Sequence, residues 1–78
     1  MSANYIKTAK DIISNMTGLE VDEIHDESYF EDDLNIGHIE LHEILTEIEE
    51  KLDVDLSVDE GGLETFGDLA TALNEKLE

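Results

Sequence analysis

Gly37-His-Ile-Glu-Leu-His-Glu-Ile-Leu-Thr-Glu-Ile-Glu-Glu-Lys-Leu52 is the stretch on which the fold turns. Leu41, Ile44, Leu45, Ile48 and Leu52 recur at steps of three and four, while Glu40, Glu43, Glu47 and Glu50 fall elsewhere on the wheel. That spacing predicts one amphipathic helix over about residues 37–52, with an apolar stripe and an acidic outer face.

Working back toward the start, Tyr5, Ile6, Ala9, Ile12, Ile13 and Met16 repeat the same period and predict a first helix ended by Gly18. Between Gly18 and Leu34 the period is lost, yet Leu19, Val21, Ile24, Tyr29, Phe30 and Leu34 are spread among acids. A long loop pinned by its own apolar side chains is expected there, since an unpinned loop of this length is rare in a compact domain. Working forward, Ser57 precedes Glu60 at capping-box spacing and Gly61-Gly62 stops the turn, so a short third helix is expected. A last helix begins at Thr65, whose hydroxyl can cap it, with Asp68 in the first turn and Phe66, Leu69, Ala70, Leu73 and Leu77 inward. Leu52, Val54, Leu56 and Val58 alternate at period two but have no second run to pair with. The expected architecture is therefore all-α: one domain over residues 1–78, a small four-helix bundle of three longer helices and one short third helix, with a long loop after the first.

Charge narrows the partners. Four Lys or Arg against 22 Asp or Glu give a formal net charge of −18, and Lys7, Lys10, Lys51 and Lys76 form no cluster in the sequence. A nucleic-acid backbone or an anionic membrane surface would be repelled. The chain has no cysteine, which removes disulfides, thiolate chemistry and Cys-bound metal and points to a cytoplasmic setting. No apolar run is long enough for a membrane span or a signal-peptide core. A monomer is expected.

Four stretches together resemble the acyl and peptidyl carrier proteins: Glu27-Ser-Tyr-Phe-Glu-Asp-Asp-Leu34, Ile36 to Leu45, Ile48-Glu-Glu-Lys-Leu-Asp-Val-Asp-Leu56, and Thr65-Phe-Gly-Asp-Leu69. In that family an Asp-Ser-Leu tripeptide opens the second helix, and the serine bears 4′-phosphopantetheine, whose thiol carries the acyl group. Here the tripeptide is Gly37-His38-Ile39, so the resemblance implies a carrier without its attachment hydroxyl. An imidazole would give only a labile phosphoramidate, so no cofactor is expected on the chain as written. Phosphopantetheine is expected only if His38 stands in for a native serine. Ser28, inside the loop, and Ser57, read as a cap, are poor substitutes. The change of both Gly37 and His38 favours natural divergence over a deliberate knockout of the serine alone.

The resemblance also places partner docking on the outer face of the second helix, at Ile39, His42, Glu43, Thr46, Glu49 and Glu50 around His38. Expected partners are enzymes of acyl, polyketide, nonribosomal-peptide or lipid metabolism that present a basic patch. The leading expectation is an acidic interaction module that docks without carrying a thioester. The alternatives are an ordinary acyl carrier protein whose attachment serine has been replaced, and an acidic metal-binding protein. The metal reading draws on His38 and His42, four apart on one helix, with Glu43 beside them. It also draws on Asp53, Asp55, Ser57, Asp59 and Glu64, which fall at the ligand positions of an EF-hand loop. Val58 occupies that loop's required glycine and Glu60 its apolar position, so the expectation is no metal site. With no cysteine and no serine in a nucleophile motif, catalysis is not expected.

Overall fold

Apolar stripes at helical spacing build three α-helices in the computed structural model, which describes residues 4–78: α1 (Asn4–Thr17), α2 (His38–Leu52) and α3 (Phe66–Leu77). The buried faces follow the stripes marked in the sequence, but in α3 Ala72 is buried and Ala70, expected inward, is only half-buried. Ala9, Ile12 and Ile13 of α1, Leu41, Ile44, Leu45 and Ile48 of α2, and Phe66, Leu69, Ala72 and Leu73 of α3 share one core with Leu56 and Leu63. Met16 and Leu77, expected on the inner stripes, lie at the helix ends and are 39% exposed each. Among the described residues, strand content is a single isolated bridge, Tyr29 with Thr65, and no helix is long and apolar enough to cross a membrane.

The expected short third helix is one 3-10 turn, Glu60–Gly62, so the described residues hold three α-helices rather than four. Two glycines in succession are poor helix formers, which limits the segment to a turn. Ser57 does not cap it. Its N–H and its hydroxyl both donate to Asp55 Oδ1, at 2.9 and 2.7 Å, and these bonds hold the Asp55 carboxyl below the usual range. Lys76 of α3 holds the segment just before the turn from outside, its Nζ 3.1 Å from Asp59 Oδ2.

The loop between α1 and α2 is pinned as its composition implies, with a 3-10 turn at Val21–Glu23 and with Ile24, Phe30, Leu34 and Ile36 all buried. Tyr29 departs from the expectation: it is 47% exposed, because the bridge to Thr65 turns alternate residues to opposite sides. Phe30 N–H donates to Glu64 O and Phe66 N–H to Ser28 O, stitching the loop to the entry of α3. Thr65 caps that helix reciprocally. Its hydroxyl accepts from Asp68 N–H at 3.1 Å, and Asp68 Oδ2 accepts from Thr65 N–H at 3.1 Å.

Gly67 makes the stitch possible. Its N–H donates to Asp26 O at 2.7 Å, and a Cβ built there would stand 2.8 Å from that same backbone oxygen. Alanine in a helix is ordinarily favoured over glycine by about 1 kcal/mol, but this contact reverses the sign because a backbone carbonyl cannot swing aside as a side chain does. Gly67→Ala is expected to destabilise by about 1–3 kcal/mol, read as a lower urea midpoint.

Candidate functional site

The start of α2 is set by the loop that delivers it. Asp33 and Leu34 N–H groups both donate to Tyr29 O at 3.0 Å, and Ile36 N–H donates to Phe30 O at 2.7 Å. Asn35 between them takes a left-handed φ of 59°, a conformation that asparagine tolerates better than most residues. Gly37 then serves as N-cap with no side chain to accept from the first turn, leaving the N–H groups at the opening of the helix without a side-chain partner.

His38, the first residue of α2, stands exposed at the edge of a cleft of about 460 Å³. Tyr29, Phe30, Glu31, Asp32 and Ile36 of the loop form one wall of this cleft, and Glu60, Gly61, Leu63 and Glu64 of the turn and its exit form the other, with Leu41 of α2 beside His38. Four carboxylates stand in these walls and no lysine or arginine does. The one hydroxyl among the lining residues is the Tyr29 phenol. Ser28 is buried, with its oxygen accepting from His25 N–H at 3.0 Å. Ser57 is engaged with Asp55. A group that must be linked through an alkyl alcohol at the opening of α2 therefore has no partner oxygen there.

Ile39 is 80% exposed, and His42, Glu43, Thr46 and Glu50 are exposed on α2 as well. Thr46 turns its hydroxyl back to His42 O at 3.0 Å. Glu49 differs from the others: it is half-buried, and its Oε2 accepts from Leu56 N–H at 2.6 Å, closing the segment that follows the left-handed Asp53 (φ 57°). One of its oxygens is thus committed within the chain. Spacing on the helix wheel carries no signal for this bond, which depends on where residues 53–56 return.

His42, which the metal alternative would pair with His38, is engaged with another element. Its Nδ1 lies 2.9 Å from Glu60 Oε2, joining α2 to the 3-10 turn. The hydrogen bond to Glu60, and then that carboxylate's charge, hold the imidazole above its ordinary value; loss of water around the ring opposes this, while Glu49 and Glu43 add to it. The EF-hand count also comes apart. Asp55 binds Ser57, Asp59 faces Lys76, and Val58 is 85% exposed where a ligand loop needs its glycine.

No protein-family model matches the chain. Individual proteins do. It is 41% identical over 69 residues to the meromycolate extension acyl carrier protein of Mycobacterium leprae, a match covering 87% of this chain and 59% of that protein. It is 34% identical over 67 residues to the acyl carrier protein of Streptococcus pyogenes, covering 86% and 88%. With the acyl carrier protein of Chlamydia felis the identity is 34% over 66 residues, covering 83% and 85%. The chain spans less than two thirds of the mycobacterial relative and most of the other two.

Proposed function

The chain belongs to the acyl carrier protein family, and from that premise we propose that it is an acidic carrier-type module that docks on enzymes of acyl or lipid metabolism without bearing a thioester itself. The observation that supports this reading is His38. It opens α2 at the mouth of the cleft, where the family resemblance puts the serine that takes phosphopantetheine. Imidazole offers no alcohol oxygen, and no serine or threonine lines the cleft. The residues present do not fit the prosthetic group, and the chain's role on this reading is recognition.

The relatives are named as carriers rather than enzymes, in keeping with a non-catalytic chain. On α2 the exposed Glu43 and Glu50 offer carboxylates to a basic patch, with Ile39 as an apolar contact. Such charges mainly raise the encounter rate and select the partner's sign, and exposed pairs add little affinity each. Docking should therefore weaken steadily as ionic strength passes about 0.1 M, where the Debye length falls to about 10 Å. A titration whose dissociation constant is flat across that range would contradict an electrostatic face.

The direct test is a mass spectrum of the unaltered chain after incubation with coenzyme A and a phosphopantetheinyl transferase of broad specificity. The expected result is no added group; one added group would overturn the proposal. The relatives' names equally favour a second reading, an ordinary acyl carrier protein whose serine has been replaced. A chromosomal copy that encodes serine at position 38 would decide for that reading.

A further inference from the structure

Between Leu56 and Leu63 the chain passes from α2 toward α3 without burying a side chain: Ser57, Val58, Gly61 and Gly62 are exposed, and Asp59 and Glu60 are half-buried. Its backbone bonds are all local. Asp59, Gly62 and Leu63 N–H groups donate to the oxygens of Leu56, Asp59 and Glu60, and among the described residues no backbone bond joins 57–62 to a helix. The two ends are fixed. Leu56 is wholly buried and gives its N–H to Glu49 Oε2 at 2.6 Å, and Leu63 is 7% exposed. Between these anchors two side-chain links hold the segment, Asp59 to Lys76 of α3 at 3.1 Å and Glu60 to His42 of α2 at 2.9 Å. Glu60 and Gly61 also wall the cleft beside His38, so the second link fixes how far that wall stands from α2. We propose that residues 57–62 form a strap closed on α2 by protonated His42, and that loss of the imidazole proton releases the strap and opens the cleft.

The two links differ in what switches them. A lysine–carboxylate pair keeps both charges between about pH 5 and 8, the interval in which an imidazole changes its own. The charged groups acting on the His42 ring are Glu60 from the turn and Glu49 and Glu43 from its own helix, with His38 one turn earlier on α2. A protonated ring makes a charge-assisted bond to Glu60, roughly twice as strong as one from a neutral donor. A neutral ring leaves Glu43, Glu49 and Glu60 with no cation among them, and repulsion moves the carboxylate that sits on the turn. Gly61 and Gly62 beside it supply the backbone freedom for that movement. The upward displacement of His42 gives the sign. Closure is complete below the ordinary imidazole value of about 6.5 and is lost as pH rises through the higher value in the folded chain. Ring and carboxylate are 66% and 35% exposed, so added salt weakens the latch as well.

NMR of the free protein at low salt tests this, with the His42 ring titrated directly. Protection factors for hydrogen exchange at the Gly62 and Leu63 amides, which remove the intrinsic effect of pH, should fall about threefold as pH rises through the His42 midpoint. The Phe30 amide, bonded to Glu64 O outside the strap, should keep its protection over the same range. A neutral paramagnetic chelate in solution should broaden the methyl signals of Leu41 and Leu63, both 7% exposed and both lining the cleft, more above that midpoint than below it. Glu60→Gln should lower the midpoint, and His42→Gln should show the weakly protected, open strap at every pH. Helical circular dichroism checks that each variant is folded. Equal protection in His42→Gln and the unaltered chain below the midpoint, or strap amides that ignore the imidazole, would overturn the latch. Methyl signals that broaden equally on both sides of the midpoint would overturn the opening of the cleft.

Discussion

Gly37→Asp combined with His38→Ser is expected to turn a chain that takes up no phosphopantetheine into one that takes up a single group. The expectation rests on space and chemistry together. Backbone angles of −78° and 176° at Gly37 are those of an ordinary N-cap, and a Cβ added there meets nothing within 4 Å. Aspartate can thus enter without strain and accept from the N–H groups at the start of α2, a gain of a few tenths of a kcal/mol over glycine, roughly. Serine at position 38 then supplies the alkyl alcohol that the cleft lacks, on an exposed first helical residue. His38→Ser alone should be modified more slowly, because it still lacks the acidic residue of the family's tripeptide. Intact mass after exposure to the transferase reads all three forms. A double variant that keeps its helical circular dichroism yet gains nothing would mean that position 38 of this chain does not correspond to the family's attachment point.

The backbone of this arrangement is legible in the sequence because local chemistry determines it. Leu41, Ile44, Leu45 and Ile48 mark α2 so strongly that expected and observed bounds differ only in whether Gly37 counts as cap or first residue. Thr65 and Asp68 mark the start of α3 just as plainly. What was not legible depends on residues that meet only after folding. Ser57 and Glu60 have the spacing of a capping box, but Asp55, two residues from Ser57, takes both of its donors. Val58 continues an alternation with Leu56 and yet lies in water, since the chain turns at that point. Gly67 gave no hint that its missing Cβ makes room for the Asp26 carbonyl. The same holds for the site: a histidine at the mouth of α2 can be read from the sequence, whereas the bond from His42 to Glu60, 18 residues away, requires the fold.

Phe66→Ala is expected to bring the chain to the edge of unfolding. Deleting a buried phenylalanine side chain costs about 3–5 kcal/mol, from lost transfer energy and the cavity left behind. At about 0.05–0.15 kcal/mol per residue, a chain of 78 residues has roughly 4–12 kcal/mol to lose, and repulsion within a net charge of −18 favours the lower part of that range. Phe66 also does more than fill volume. Its ring is wholly buried, its N–H donates to Ser28 O at 3.0 Å, and Lys10 Nζ lies 5.4 Å from the ring centroid, so one residue connects α1, the long loop and α3. Removing the ring also forfeits the cation–π attraction of half-buried Lys10, about 0.5–2 kcal/mol. In low salt the variant should show reduced helical circular dichroism, and added salt should restore part of it by screening the carboxylates. Ile39→Ala, which removes an exposed side chain of similar hydrophobicity, should leave the urea midpoint almost unchanged. If Phe66→Ala unfolds at the same urea concentration as the unaltered chain, the three elements are not joined through this ring, and the loop that positions His38 is held by something else.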